Sequence, residues 1–289
     1  MKVNEALKKY SLIPKRYEQN QSVRIIDTNL GKYVYKETKA NNDILDYLKT
    51  RAFNYIPKII NDPFDDYQIL EYIEDYDIPK EQKILDMILI VSLLHSKTTH
   101  YKEIDIGDYE KIYDDLSGNI EYLNGYYTDL ISLIETKVYQ SPSEYLLARN
   151  INVIFIAIKE AEKRLTNWYE LISQKRKNRQ VVLHNNLNLD HFIRNKRSYL
   201  ISWDKAKIGN PVFDIYKLYK YHVLDFDFSD ILKEYENIYP MQEDEKELFY
   251  TLILLPSVIE FKSSEYNMCI TISREIDSIY KTLDFTKKT

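Results

Sequence analysis

The chain has 289 residues, with 40 Lys or Arg against 45 Asp or Glu, so its formal net charge is −5. That balance gives no electrostatic basis for a nucleic-acid partner, and we expect none. The single cysteine, Cys269, excludes an internal disulfide framework and favours a reducing, cytoplasmic location. The longest apolar stretches, near residues 84–94 and 252–258, are too short and too interrupted to span a bilayer, so we expect no membrane span.

Short strands and a single helix are predicted in the first part of the chain. Alternating apolar and polar residues indicate strands, whereas apolar residues recurring on one face indicate a helix. Gly31 supplies the positive φ of a turn between the first two strands. The predicted strands are residues 22–27, 32–37, 57–60 and 67–72, and the predicted helix is 41–50.

From Pro79 onward the pattern becomes mainly helical. Ser141 or Ser143 is the candidate N-cap of the longest predicted helix. The predicted helices are residues 83–95, 109–137 and 142–173, with more from 213 to the end, and short strands at 181–183 and 199–201. We therefore predict an α+β, protein-kinase-like two-lobed fold. A small β-sheet lobe with one helix (1–72) precedes a larger, mainly helical lobe (73–289), together forming one integrated domain.

One segment carries most of the functional information. Residues 181–218 read VVLHNNLNLDHFIRNKRSYLISWDKAKIGNPVFDIYKL. This resembles the catalytic region of the aminoglycoside phosphotransferase and choline kinase superfamily, where the pattern is strand–HGDxxxxN–strand–IDWxxAxxGxPxxDL. Three further pieces occur in the family order: residues 34–36 resemble the strand with the phosphate-contacting lysine, 69–73 the hinge between lobes, and 93–96 the end of a large-lobe helix.

The resemblance implies which residues would hold a cofactor. Lys36 would contact the phosphates of ATP, and the hinge residues Glu71, Tyr72 and Ile73 would hold the nucleotide. The family uses Mg²⁺ together with ATP, because phosphoryl transfer depends on positioning and on neutralising the charge of the phosphates.

Three positions that carry the family's chemistry hold other residue types here. With His184 aligned to the family histidine, Asn186 stands at the catalytic aspartate, and an amide cannot accept a proton at neutral pH. His191 stands at a metal-binding asparagine and Ser202 at a metal-binding aspartate. Mg²⁺ prefers hard oxygen ligands, so an imidazole and a neutral hydroxyl are degenerate metal positions.

Two neighbouring acids offer an alternative. Asp190 follows Asn186 closely and Asp204 follows Ser202 closely, so either carboxylate would supply an acid if the loop path differed. Asp204 is the better metal candidate, because many relatives carry a second acid after the IDW motif. The simpler interpretations are a solvated loop charge for Asp190 and a surface acid for Asp204.

The partner of the phosphate-contacting lysine is also missing from its expected place. Active members pair that lysine with a glutamate on the following helix. The matching position here is Asn41, or Asp43 in a shifted register.

A narrower resemblance rests on the same segment. Its histidine spacing and the Ile-Ser-Trp-Asp-Lys-Ala run are similar to the spore-coat kinase-like proteins of endospore-forming Firmicutes, which implies an assembly role with coat proteins as partners. The matching positions are His184, His191, Phe192, Ile201, Ser202, Trp203, Asp204, Lys205, Ala206, Pro211, Asp214 and Tyr219.

Three functional hypotheses follow. The first is a pseudokinase acting as a structural or interaction protein, in the spore coat after assembly from the mother-cell cytoplasm. The second is an active ATP-dependent small-molecule phosphotransferase that uses Asp190 or Asp204. The third is a nucleotide-binding sensor without transfer. Aminoglycoside modification is disfavoured, because a fold does not by itself imply a function. A cationic substrate would also need an acidic pocket, and the C-terminal candidates for its acids are Glu260, Glu265 and Glu275.

Overall fold

A computed structural model describes residues 3–20 and 23–288. The predicted first strand begins at Ser22, which lies outside the described residues. The chain folds into two compact units, the first formed by Met1–Thr99, Val181–Gly209 and Asn237–Tyr239 and the second by the remainder. The lobe boundary after residue 72 stays a prediction.

A four-stranded antiparallel sheet is the centre of the first part of unit one. Its strands follow chain order, so each connection joins neighbours. The strands are β1 (Pro14–Asn20), β2 (Val23–Thr28), β3 (Gly31–Lys36) and β4 (Gln68–Glu71). The helices of the unit are α1 (Val3–Lys9), α2 (Asn42–Thr50) and α3 (Lys80–Thr98).

The β2–β3 hairpin forms as the sequence predicts. Gly31 has φ +125°, a conformation that only glycine adopts freely, and it pairs with Thr28 across the turn. The Thr28 hydroxyl accepts from Leu30 N–H and donates to the Gly31 carbonyl. Helix α1 and one face of the sheet share a buried apolar cluster, which consists of Val3, Ala6, Leu7, Leu12, Ile26, Tyr35, Tyr67 and Ile69.

Two parts of this region differ from the prediction. The predicted strand at 57–60 is reduced to an isolated bridge between Ile59 and Leu70, with Ile60 N–H donating to the Ile69 carbonyl and the Lys58 carbonyl accepting from Glu71 N–H. Pro57 supplies no N–H for a ladder, which limits pairing there. Helix α1 and strand β1 were not predicted, because their short polar sequences show little periodicity.

The rest of unit one is a set of short strands joined by tight turns. Val181–Leu183, the end of strand β6 (Lys177–Leu183), pairs with a strand that ends at Gly209. Thr98 Oγ1 accepts from the buried Val182 N–H at 3.0 Å, which ties this strand to α3. The other strands are β7 (Phe192–Arg194), β8 (Ser198–Leu200) and β9 (Lys207–Gly209), with 3₁₀ turns at Leu189–His191 and Trp203–Lys205.

Unit two is mainly helical. Helix α5 packs against α4, α8 and α9, and its Trp168 is 1% exposed. Ser141 caps α5 with a complete capping box to Glu144. Strand β5 (His100–Glu103) pairs with the first residues of β6. The helices are α4 (Ile106–Glu135), α5 (Pro142–Ser173), α6 (Val212–His222), α7 (Phe228–Ile238), α8 (Glu243–Leu254) and α9 (Glu265–Lys288).

The predicted α+β class is therefore confirmed, with a small antiparallel sheet and a larger helical portion. Within residues 3–20 and 23–288, no helix combines the length and the apolar character that a membrane crossing requires.

Candidate functional site

Lys36 and Asp204 form an ion pair within unit one. Lys36 is the last residue of β3, and Asp204 lies in the 3₁₀ turn that follows β8. The Lys36 Nζ atom is 2.5 Å from Asp204 Oδ2, and the two side chains are 15% and 31% exposed. This is a charge-assisted hydrogen bond, which is shorter and stronger than a bond between neutral groups.

The second oxygen of Asp204 is also satisfied. Asp204 Oδ1 accepts from Gln68 Nε2 at 3.1 Å and from Thr38 Oγ1 at 3.2 Å. Gln68 Nε2 also donates to the Thr38 carbonyl at 3.1 Å, which holds the amide in place. Burial alone would raise the pKa of Asp204, but the hydrogen bond and charge of Lys36, with the other two donors, hold that pKa below its ordinary value of 3.8. The carboxylate is therefore ionised at neutral pH.

Helix α2 does not supply the partner of Lys36. Asn41 is the N-cap of α2, where its Oδ1 accepts from Ile44 N–H and its Nδ2 donates to the Ala206 carbonyl at 3.1 Å. Asp43 is exposed in the first helical turn. The acid that faces the lysine comes instead from the turn at Asp204.

A cavity of about 190 Å³ lies beside this cluster, within the same unit. The four predicted cofactor-binding residues, Lys36, Glu71, Tyr72 and Ile73, all line it. Most of the remaining lining is apolar: Val23, Ile25, Val34, Leu45, Ile56, Pro57, Ile59, Leu70, Ile193, Ile201 and Trp203, together with Gln68 and Ser202. Such a lining suits a planar apolar group better than a charged one.

Two backbone N–H groups of the hinge already donate hydrogen bonds within the protein. Glu71 N–H donates to the Lys58 carbonyl at 2.9 Å, and Tyr72 N–H donates to the Lys32 carbonyl at 3.2 Å. The Lys32 ammonium also lies 5.7 Å from the centre of the Tyr72 ring. A ligand in the cavity would therefore meet Ile73 and the side-chain walls rather than these two N–H groups.

His184 is fully buried at the end of β6. Its Nε2 is 2.8 Å from the Ile201 carbonyl, and its ring lies edge-on to Trp203 with the centroids 4.7 Å apart. Because a carbonyl only accepts, Nε2 is the donor. This histidine holds the loop after β6 against the strand that leads to Ser202.

Asn186 and His191 interact with each other through the backbone. His191 Nδ1 donates to the Asn186 carbonyl at 2.7 Å, and the His191 carbonyl accepts from Ile201 N–H at 2.9 Å. Asp190 lies between them in an exposed 3₁₀ turn. In the described part of the chain, the Asp190 carboxylate makes no hydrogen bond or ion pair. The predicted alternative acid is thus a solvated loop charge.

Two residues of the loops adopt left-handed backbone conformations. Ser202 has φ 66° and ψ 53°, and Asn185 has φ 60°. Asn185 Nδ2 donates to the Lys205 carbonyl at 2.9 Å, which connects the two loops. A non-glycine residue in this region costs roughly 1 kcal/mol, and Asn tolerates it better than most.

The donor set does not fit Mg²⁺. Ser202 offers a neutral hydroxyl, His191 an imidazole, and the Asp204 carboxylate already accepts from three side-chain donors, one of them the Lys36 ammonium. Across residues 3–20 and 23–288, no group of three His, Cys, Asp or Glu side chains is arranged to hold a metal ion. We therefore derive no step through a metal.

Gln68 and Thr38 are site residues that sequence reasoning missed. Gln68 stands opposite Lys36 in the β3–β4 register, which places both side chains at the same point of the sheet. The signal available in the sequence was the two-residue spacing of Gln68 and Leu70, which places both side chains on the cavity face of the strand. Alternation gives the face but not the register, so the partner of Gln68 was not predictable.

Comparisons with solved structures give the fold a name. An aminoglycoside phosphotransferase from Alicyclobacillus acidocaldarius superposes with a TM-score of 0.73 at 9% identity, covering 98% of this chain and 94% of that one. This chain has the aminoglycoside phosphotransferase fold. The AMP-bound spectinomycin phosphotransferase APH(9)-Ia gives 0.57 at 13% identity, with 97% of each chain covered.

The likeness extends to choline kinases. The choline kinase LicA from Streptococcus pneumoniae superposes with a TM-score of 0.51 at 18% identity, covering 96% of this chain and 98% of that one. No protein-family model matches the sequence, and a search of curated proteins gives no significant match. The predicted resemblance to the phosphotransferase and choline kinase superfamily is confirmed at the level of fold. The narrower resemblance to spore-coat proteins stays a prediction.

Proposed function

We propose that this chain is a pseudokinase: a protein of phosphotransferase fold that acts as a structural or interaction protein and transfers no phosphate. The observation that carries the proposal is that the carboxylate facing Lys36 is the chain's own Asp204, held in a closed set of donors. To bind Mg²⁺ or to accept a proton from a hydroxyl, this carboxylate would first have to give up its contact with Lys36 or one of the other donors.

The motif positions support the same conclusion. Asn186, at the position of the catalytic aspartate, carries an amide side chain, and its backbone carbonyl accepts from His191 Nδ1. Ser202, at the metal position, lines the cavity but offers no charge. The family positions of the catalytic base, the metal ligand and the lysine's partner all hold other residue types here, namely Asn186, Ser202 and Asn41. Restoring one of the three would therefore leave the other two without their function.

Aminoglycoside modification remains disfavoured on the evidence of unit two. Glu265 accepts from Ser143 N–H at the start of α5, and Glu275 accepts from Ser257 N–H at 2.6 Å. Glu260 pairs with Lys262 at 2.8 Å. The three C-terminal acids that would have to bind a cationic antibiotic are thus engaged locally.

Phosphate transfer is the direct test. We expect no transfer from radiolabelled ATP to choline, spectinomycin or an aminoglycoside, in Mg²⁺ or Mn²⁺, above a protein-free reaction. The choline kinase LicA, run in parallel, shows that the assay works. Turnover that follows the protein through purification and is lost in Asp204→Ala or Asp190→Ala would instead establish the second candidate, an active phosphotransferase with a relocated acid.

The spore coat is the proposed location, supported by the motif spacing of residues 184–219, and it would imply assembly from the mother-cell cytoplasm. Coat proteins would then be the partners. An antibody against the chain should detect it in coat extracts of purified spores. Its confinement to vegetative cells would remove this part of the proposal and leave the pseudokinase assignment standing.

A ligand-binding role without transfer is favoured by the cavity next to Lys36. Its lining joins that lysine to the hinge residues Glu71, Tyr72 and Ile73. APH(9)-Ia, which shares the fold, has been solved with AMP. We therefore retain a sensor role within the pseudokinase proposal.

A further inference from the structure

A second cavity of unit one, of about 480 Å³, lies along one side of helix α3. Five residues of the helix line it at helical spacing, which places them in a single stripe: Asp86, Leu89, Ile90, Leu93 and Lys97. At a rise of about 1.5 Å per residue, the stripe is about 16 Å long. We call this cavity the α3 groove, and its length matches an extended peptide of about five residues.

The opposite wall of the α3 groove comes from the loop after α2 and from the β7–β8 hairpin. The Tyr55 carbonyl accepts from Leu200 N–H at 2.8 Å, which ties the loop to the hairpin. Lys97 Nζ donates to the Ala52 carbonyl at 2.9 Å, which ties the same loop to α3. The groove is therefore held open between elements that are hydrogen-bonded to one another.

Three cations and one acid face the α3 groove. Lys97 comes from the helix, Arg194 and Arg197 come from the hairpin, and Asp86 is the acid. Arg194 Nε is 3.2 Å from Asp86 Oδ2, and its Nη1 donates to Ser198 Oγ at 2.8 Å. Within residues 3–20 and 23–288, neither Lys97 nor Arg197 has an acidic partner. The groove is thus positively charged in a chain whose net charge is −5.

The floor between these cations is apolar. Leu89 is 39% exposed and Leu93 is half-buried, whereas Ile90 beneath them is buried. The exposed Arg197 guanidinium presents a planar fork that fits a carboxylate with two hydrogen bonds. The Lys97 ammonium has two N–H donors beyond the one that Ala52 uses. A matching ligand therefore carries acids that are separated by an apolar group.

We propose that the α3 groove binds an acidic segment of a protein partner, whose carboxylates pair with Arg197 and Lys97 and whose apolar side chain packs on Leu89 and Leu93. Recognition of acidic motifs by arginine clusters is a recurring mode of peptide binding. This inference rests on the proposed function, because it gives an interaction protein a docking surface and a class of partner.

Other anionic occupants fit the α3 groove less well. Lys97 and Arg197 stand on facing walls, so a flat anionic membrane cannot reach both. Three cations are few for a nucleic-acid strand, whose binding depends on neutralising many phosphates. A free phosphate would leave the apolar surface of Leu89 in water. An acidic peptide with an apolar side chain satisfies both the walls and the floor.

Selection from a phage library of random short peptides on the immobilised full chain supplies a probe without assuming a sequence. We expect the enriched peptides to carry several Asp or Glu around a Leu, Ile or Phe. A fluorescein-labelled copy of the most enriched acidic peptide is then titrated with the protein, and its anisotropy gives the affinity. Because charge pairs supply much of the binding, the affinity should fall as NaCl is raised.

The variant that combines Arg197→Gln with Lys97→Gln should bind this peptide at least tenfold more weakly than the wild type. Lys196→Gln is the matched control, because it removes the same charge from the next residue of the hairpin turn, which is exposed and outside the groove lining. Its affinity should change less than threefold. Arg197→Gln alone, with an expected loss of at least threefold, serves if the double variant unfolds, and melting curves establish folding.

A test of the apolar floor separates a peptide from a simple anion. Leu89→Ser should weaken the labelled peptide at least threefold and leave its salt dependence unchanged, because the substitution removes apolar contact but no charge. Inorganic phosphate should displace the labelled peptide only through ionic strength, so NaCl at matched ionic strength should have the same effect.

Several outcomes would overturn the inference. Enrichment only of peptides without acids would do so, as would a double variant that binds as well as Lys196→Gln. Displacement by phosphate well beyond matched NaCl would make the groove a site for small anions. Binding to phosphatidylglycerol vesicles that is lost in the double variant would make it a membrane contact. None of these measurements involves ATP, so their failure leaves the pseudokinase proposal to the transfer assay, whose own failure would leave the measured peptide affinity unaltered.

Discussion

Asp204 shows how one side chain acquires its character from its neighbours. Two oxygens accept from three donors, with the strongest contribution from Lys36. Burial would raise the pKa of this carboxyl, but the ion pair and hydrogen bonds lower it below 3.8. Because the folded pKa is lower than the unfolded one, the pair stabilises the fold above the ordinary value, and this stability is lost as the pH falls through the folded value.

The pH dependence of Asp204→Asn follows from that sign. The substitution should lower the free energy of unfolding by about 1 kcal/mol, a modest figure because the pair is partly solvated. The difference from the wild type should be constant between about pH 8 and about pH 6, and should shrink below about pH 4. Urea unfolding at each pH measures it.

A difference that changed steadily between about pH 8 and about pH 6 would contradict the assigned pKa direction. Asp190→Asn serves as the comparison, and its unfolding free energy should stay within about 0.5 kcal/mol of the wild type. The comparison separates the effect of the ion pair from that of removing one negative charge.

At this scale the sequence located the residues but not their contacts. Alignment with the phosphotransferase motifs singled out Lys36 and Asp204 separately, and the two lie 2.5 Å apart. Their contact, and the part played by Gln68 and Thr38, depend on strand register and turn geometry. Those features are set by tertiary packing, which single-residue patterns do not encode.

Among the elements, strand β6 leads into the loop that holds His184, Asn186 and His191. Its last residue, Leu183, precedes the buried His184, and its position is fixed by Thr98 of α3 and by pairing with β9. A buried N–H left without an acceptor costs roughly 1–3 kcal/mol. The hydroxyl of Thr98 is therefore a structural link between helix α3 and the strand that leads into the His184 loop.

Thr98→Val tests that link. The substitution keeps the shape of the side chain but removes the acceptor of the Val182 N–H, so we expect a loss of about 1–3 kcal/mol in unfolding free energy. Hydrogen exchange at Val182 should become faster. Thr50→Val, on the exposed end of α2, is the control and should change stability by less than about 0.5 kcal/mol. Equal losses in both variants would contradict the role of Thr98.

The success of element prediction followed the strength of the local signals. The helix predicted at 142–173 has those bounds in the structure, because Pro142 stands in the first turn and Ser141 with Glu144 forms a capping box. The prediction of a strand at 57–60 failed, because a short apolar run beside a proline has no sequence signal that separates a strand from a loop with one β-bridge. Strand β1 was missed because its sequence, PKRYEQN, is polar.

For the whole molecule, the fold is shared with a protein of very different sequence. The likeness to an aminoglycoside phosphotransferase covers 98% of this chain at only 9% identity. Fold therefore follows from the order and pattern of elements, whereas activity depends on a few side chains that the pattern does not fix.

The response of the whole protein to metal ions should reflect that separation. Because the described residues contain no cluster suited to a metal, millimolar Mg²⁺ or Mn²⁺ without nucleotide should raise the melting temperature by less than about 1 °C. Protein treated with EDTA provides the baseline, and NaCl at matched ionic strength controls for screening. A saturable shift of several degrees would reveal a metal site and weaken the pseudokinase proposal.

The left-handed backbone of Ser202 has one more consequence, which concerns the introduction of a carboxylate at this position. Its backbone has φ 66° and ψ 53°, a conformation that aspartate and asparagine enter more readily than serine does. An acidic residue at this position would therefore need no new path for the loop. The backbone at position 202 therefore suits an acid-bearing residue, and an engineer who wished to place a carboxylate there would begin with a loop path that already accommodates it.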